Sequence, residues 1–98
     1  MNHTTHTHIG RDHYRMEVRT ATLKIIADEP ATHGGTGQGF NAQELLAASL
    51  GACTNATVRM YADRKAWPLE AIDTEVVITP GERFGITDIQ RNIRFTGA

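Results

Sequence analysis

Between Asn41 and Trp67 the chain runs from Ala42 to about Lys65 with no proline and only one glycine, Gly51. Such a stretch predicts a single helix on the order of 35 Å long at 1.5 Å per residue. Asn41 is placed to cap its start, and Trp67-Pro68 ends it. Leu46, Leu50, Cys53, Thr57 and Met60 follow 4-3-4-3 spacing and share one face. Ala48, Ala52 and Ala56, beside Ala47 and Gly51, form a second ridge whose small side chains let another backbone come close. The second half turns polar through Arg59, Asp63, Arg64 and Lys65, and basic residues suit a helix C-terminus. A helix that is apolar or small around most of its first half has to be covered on several sides.

The flanking segments supply strands to do this. Tyr14, Met16 and Val18 alternate with polar residues, and a turn at Arg19-Thr20-Ala21 leads to a second strand, Thr22 to Ala27. Residues 28–41 hold four glycines between Gly34 and Gly39, which argues for an irregular connection. These glycines lack the lysine-serine ending of a phosphate-binding loop and the strand context of a dinucleotide site. After the helix, Leu69 to Thr79 is strand-like, with Ile72, Val76, Val77 and Ile78. Pro80-Gly81-Glu82 signals a turn. Ile86 to Phe95 alternates again, with Ile89, Ile93 and Phe95 read on two registers broken at Asn92. The order strand, strand, helix, strand, strand predicts an α+β domain with meander-type sheet pieces. One small sheet covers one face of that helix. The other is expected to meet a second copy of the chain, in a homodimer, or sequence beyond this chain.

Composition narrows the partners. The 98 residues allow one domain, 40% hydrophobic and 21% charged, with net charge −1. That balance gives no basic surplus for nucleic acid or an anionic membrane, and no apolar stretch suits a bilayer span. The start lacks a hydrophobic signal core, and Cys53 stands as the single cysteine. A cytoplasmic location is therefore expected. Residues 1–12 read as a disordered polar tail ahead of a domain at 13–98. His3 with the terminal amine, and His6 and His8 nearby, make a copper- or nickel-binding tract conceivable. The solvated-tail reading is the one adopted, with no metal and no cofactor expected.

Several of these segments carry a family likeness. Ala27-Asp28-Glu29-Pro30, Gly34-Gly35 and Gln43-Glu44-Leu45-Leu46-Ala47-Ala48 resemble the entry to the central helix of OsmC/Ohr-like proteins. Leu50-Gly51-Ala52-Cys53-Thr54, Arg59 to Lys65 and Trp67-Pro68-Leu69-Glu70 resemble that helix and its exit. The resemblance spans roughly residues 14–98. It implies an OsmC-like fold with antiparallel strands wrapped around a long central helix, an intertwined homodimer, and thiol-dependent reduction of organic or hydrogen peroxides, with Cys53 as the reactive sulfur and an external thiol as reductant. It also implies an arginine from the N-terminal strand-turn region, for which Arg19 is the nearest candidate. In the family's peroxidases a glutamate ten positions before the cysteine orients that arginine. Here Gln43 occupies that position and Glu44 follows. The family pattern continues past Phe95 into a second helix and a resolving cysteine, so the domain at 13–98 is expected to be incomplete.

The chemistry requires a thiolate, because the thiolate is the nucleophile. A neighbouring cation raises the thiolate fraction and stabilises charge on the leaving oxygen. Gln43 can hold a guanidinium by accepting a hydrogen bond, without the charge of a glutamate. Each residue also has a plainer reading. Cys53 fits a small buried hydrophobe, Glu44 a carboxylate favoured by the helix dipole, and Arg19 a solvated strand end. Arg59 and Arg64 read as surface or interface charges, and Trp67 as a packing anchor. Two function classes follow: a thiol peroxidase, and a non-catalytic dimeric module that keeps the fold.

Overall fold

The computed structural model describes residues 2–81 and 87–97. In chain order they form β1 (His6–Ile9), β2 (Met16–Arg19), β3 (Lys24–Ala27), a 3-10 turn (Ala31–His33), α1 (Ala42–Arg64), β4 (Leu69–Pro80) and β5 (Thr87–Gly97). The protein is α+β, with one long helix and antiparallel strands. It divides into two compact units, Met1–Leu45 and Leu46–Ala98.

The first unit is a meander, β1-β2-β3, with antiparallel pairing throughout. Register sets Met16 opposite Ala27 and Val18 opposite Ile25. The segment expected to be an irregular tail contains β1, which pairs His6 with Arg19 and Ile9 with Met16. Its alternating threonines and histidines extend readily, since β-branched residues suit a pleated strand, and β2 offers the ladder. The third strand, β3, is shorter than the expected Thr22 to Ala27. Thr20 closes the turn before it by accepting the backbone N–H groups of Thr22 and Leu23 at its hydroxyl, at 3.3 and 3.0 Å.

Beyond β3 the chain is organised by one carboxylate. Asp28 is fully buried. Its Oδ1 accepts the N–H groups of Glu29 at 2.8 Å and Tyr14 at 3.3 Å. Its Oδ2 accepts the N–H groups of Thr36 and Gln38, each at 3.3 Å, and the Thr36 hydroxyl. These bonds hold the Asp28 carboxyl at about 2, first through the Thr36 hydroxyl and then through backbone N–H groups, against the burial that pushes it up. The glycine-rich connection is thus a closed loop wound around a buried anion. Gly35 lies so close to Glu29 that a Cβ there would sit 2.6 Å from the Glu29 carbonyl carbon. The loop returns to the sheet where Phe40 bridges Ala27.

Helix α1 starts where Asn41 predicts. Asn41 Oδ1 accepts Glu44 N–H at 2.8 Å, and Glu44 Oε1 accepts Asn41 N–H at 2.9 Å. This is a reciprocal capping box, and it satisfies two N–H groups that the first turn otherwise leaves open. The helix ends through Trp67 N–H to Ala62 carbonyl and Ala66 N–H to Asp63 carbonyl, at 2.9 and 3.1 Å. Ala66 takes the left-handed conformation, φ 55°, that such an ending requires.

In the second unit β4 and β5 form a long antiparallel hairpin. The pairs Ile72/Phe95, Thr74/Ile93, Val76/Arg91 and Ile78/Ile89 alternate with Asp73/Arg94, Glu75/Asn92 and Thr79/Asp88. Directly opposed residues share a face, so the hairpin has one mainly apolar side and one polar side. Ile89, Arg91, Ile93 and Phe95 are therefore on a single register, not two. The Glu82 part of the expected Pro80-Gly81-Glu82 turn, and Ile86, lie outside the described residues.

The helix packs on the mainly apolar side of the hairpin, and the structure shows which of its faces does so. Thr54 and Ala62 are buried, and Ala47, Leu50, Gly51, Asn55 and Val58 are half-buried. Leu46 and Met60 are 49% and 65% exposed, and Cys53, Thr57 and the ridge Ala48, Ala52, Ala56 are exposed too. The phase is set by polar contacts with the sheet. Thr74 donates its hydroxyl to Asn55 Oδ1 at 2.6 Å, and Arg91 Nη1 donates to Thr54 Oγ1 at 3.1 Å. Arg59 is not a free surface charge. Its guanidinium donates to the carbonyls of Leu69 at 2.8 Å and Glu70 at 3.3 Å, tying the helix to the start of β4. Trp67 anchors the exit by an edge-to-face contact with Tyr61, ring centroids 5.3 Å apart.

Candidate functional site

Cys53 is an exposed free thiol in the middle of α1. It lies beside, not on, the face that packs against the hairpin, because the next residue, Thr54, is the one the sheet covers. Thr54 donates its hydroxyl to the Leu50 carbonyl at 2.8 Å and accepts from Arg91. A guanidinium is thereby fixed at the residue adjoining the thiol. Sequence reading did not single out Arg91. The signal was its phase: it falls between Ile89 and Ile93 on the alternation that faces the helix, where a cation has to have a specific partner. A cleft of about 350 Å³ lies by the same stretch, with Gly51, Ala52, Asn55, Thr74 and Val76 among its lining residues.

The other candidates belong to the first unit. Gln43 and Glu44 sit together in the first turn of α1, both exposed. The Glu44 carboxylate is engaged by Asn41, so its observed role is to cap the helix. Arg19 is the exposed last residue of β2, between His6 and Lys24 in the ladder. Cys53 lies in the second unit. Among the described residues no helix is long and apolar enough to cross a membrane, which leaves strand-built barrels unaddressed.

Residues 35–98 match the model of the OsmC-like protein family. The chain belongs to the OsmC-like family. Among solved structures it is similar to an organic hydroperoxide resistance protein OsmC of Legionella pneumophila, also described as a predicted redox protein and regulator of sulfide bond formation. Identity is 25% and the TM-score 0.71, covering all of this chain and 73% of that one. It is also similar to an OsmC-like protein of Mycoplasma pneumoniae at 17% identity and TM-score 0.78, covering all of this chain and 72% of that one, which speaks for the fold alone. A sequence comparison with curated proteins gives no match. The long helix and the antiparallel strands match the fold of these structures.

Proposed function

We propose that this OsmC-like protein is a thiol-dependent peroxide reductase acting through Cys53. The observation that carries the reading is an exposed cysteine on the central helix with a guanidinium, Arg91, bonded to the adjoining Thr54. The thiolate of Cys53 attacks one peroxide oxygen. The O–O bond breaks, the departing oxygen takes a proton and leaves as an alcohol or water, and Cys53 becomes a sulfenic acid. An external thiol displaces that hydroxyl as water to give a mixed disulfide. A second external thiol then releases Cys53 and carries away the disulfide. The arginine's part is to stabilise the charge developing on the leaving oxygen. Arg91 is the first candidate for it and Arg19 the second.

A homodimer belongs to the same proposal. Buried hydrophobic side chains among the described residues are only Ala27 and Ala62, whereas Leu46, Met60, Phe40 and Phe95 are about half exposed or more. A second copy against the outer faces of α1 would cover this surface and the alanine ridge. The second functional reading, a non-catalytic dimeric module, draws on Glu44, whose carboxylate is committed to the helix cap.

The test is intact mass after brief exposure to an organic hydroperoxide, with and without a sulfenic-acid trap, followed by turnover with a small thiol. Wild-type protein gains one oxygen, or one trap adduct, and consumes peroxide catalytically. Cys53→Ser does neither. Arg91→Gln and Arg19→Gln, compared at equal fold content, identify the arginine by the larger fall in rate. Equal peroxide consumption by wild type and Cys53→Ser defeats the enzymatic reading.

A further inference from the structure

The register of the first sheet lines up three basic side chains. His6 of β1 lies directly opposite Arg19 of β2, and Arg19 lies directly opposite Lys24 of β3. Directly opposed residues share a face, and neighbouring strands are about 4.8 Å apart, so the row spans roughly 10 Å. Like charges in such a row repel unless an anion sits among them. Lys24 has one, because its Nζ holds Glu17 Oε1 at 3.0 Å. Arg19 has no such partner among the described residues.

A recess of about 760 Å³ opens beside this row. His6, Arg19, Thr20 and Thr22 are in its wall, and no aspartate or glutamate lines it. Thr20 adds a directed donor. Its hydroxyl oxygen already accepts the N–H groups of Thr22 and Leu23, at 3.3 and 3.0 Å. Both lone pairs are engaged, so what the hydroxyl has left to offer is its proton. A guanidinium, a hydroxyl proton and an imidazole N–H thus border one polar recess, and nothing in its wall carries a negative charge to meet them.

We propose that Arg19, Thr20 and His6 bind a phosphate group, free or carried on a small molecule. The planar fork of Arg19 matches two phosphate oxygens at once, and the Thr20 hydroxyl and the His6 N–H serve the others. At about 30 Å³ per water molecule, the recess holds far more than a bare phosphate, which leaves space for a carrier. The site lies wholly in the first unit and needs neither Cys53 nor Arg91. It gives Arg19, the second candidate for the arginine of the peroxide reaction, a ligand of its own. Glu17 decides the sign of two variants. Its carboxylate is two residues from Arg19 on the same face and is neutralised by Lys24. Removing Lys24 bares that charge and weakens phosphate binding, whereas Glu17→Gln releases Lys24 and strengthens it.

The experiment is a nuclear magnetic resonance titration of the nitrogen-15-labelled full chain with inorganic phosphate and with ribose 5-phosphate, at fixed pH and ionic strength. Saturable shifts are expected at His6 and from Arg19 to Thr22. Tighter binding of ribose 5-phosphate assigns the recess to a carried phosphate, and equal binding assigns it to the free anion. Arg19→Gln weakens binding by more than about tenfold, as loss of a charged hydrogen-bond donor should, and Arg19→Lys recovers part of it. Arg64→Gln, which removes an exposed cation of α1, leaves binding unchanged. Circular dichroism of each variant confirms that the fold is kept. Three results overturn the proposal: no saturable shift with either probe, binding undiminished in Arg19→Gln, or an equal loss in Arg64→Gln. The last would assign binding to overall charge and not to a site. Because no peroxide is involved, failure here leaves the reading of Cys53 untouched.

Discussion

Replacing Gly35 with alanine should unfold much of what the Asp28 loop holds together. A Cβ at Gly35 would overlap the Glu29 carbonyl, lying 2.6 Å from its carbon and 2.8 Å from Asp28 Oδ1. Neither neighbour can swing away. One is main chain, and the other is the carboxylate on which the loop's N–H groups converge. Overpacking a site with fixed neighbours costs about 1–3 kcal/mol. The upper part of that range applies here, because shifting Glu29 also lengthens hydrogen bonds to Asp28. At about 4–8 °C per kcal/mol for a domain of this size, the melting temperature should fall by roughly 10–20 °C. Gly37 provides a graded comparison. Nothing lies within 4 Å of a Cβ there, but φ is +68°, so alanine meets only backbone strain of about 1–2 kcal/mol. Gly10 has neither obstacle, and Gly10→Ala should be neutral or slightly stabilising. Thermal unfolding by circular dichroism at one fixed protein concentration gives the ranking Gly10→Ala, Gly37→Ala, Gly35→Ala. If Gly35→Ala melts within about 2 °C of Gly10→Ala, an interval worth under about 1 kcal/mol, the closed loop around Asp28 is wrong.

Acid should find the same loop. The Asp28 carboxyl is lowered from 3.8 to about 2, so its contribution is complete above 3.8 and is lost as pH falls through about 2. Wild-type stability should decline more steeply across that interval than Asp28→Asn stability in parallel denaturant titrations, and equal slopes would remove Asp28 as the source. At the start of α1, Asn41→Ala deletes the side-chain half of the capping box and should cost about 1 kcal/mol, while Asn41→Ser should restore most of it. Urea unfolding checks this, and equal midpoints for the alanine and serine variants would argue against the cap.

Much of the architecture was legible because it is local. Asn41 and Trp67-Pro68 bracket α1, and alternation marks β2, β4 and β5. What escaped was non-local or ambiguous in phase. The Asp28 loop gathers donors from Tyr14, Glu29, Thr36 and Gln38, and no short-range pattern links those positions. The strand β1 exists through its pairing with β2, and its own residues look polar and unstructured. The face of the helix that meets the sheet was not legible, because a helix carrying small or apolar residues on most sides does not specify its own orientation. Thr54 and Asn55 specify it instead, through Arg91 and Thr74. Of the candidate site, Cys53 was singled out from its family context, and the structure places it exposed on α1. Glu44 was found, but the bonds it makes are those of a cap. Arg91 was missed because a charged residue at an apolar phase reads as a break in the pattern.

The connectivity of the strands has a kinetic consequence. Every strand pair joins neighbours in the chain: β1 with β2, β2 with β3, and β4 with β5. Within each unit the loops to be closed are therefore short, and the entropy lost before the first contacts form is small. Topologies of this kind place little demand on long-range search, so the meander and the hairpin should each assemble quickly. In the homodimer proposed above, the slow event would then be the encounter of two already folded chains, which depends on concentration. Refolding followed at several protein concentrations should resolve a fast phase insensitive to dilution and a later one that slows with it.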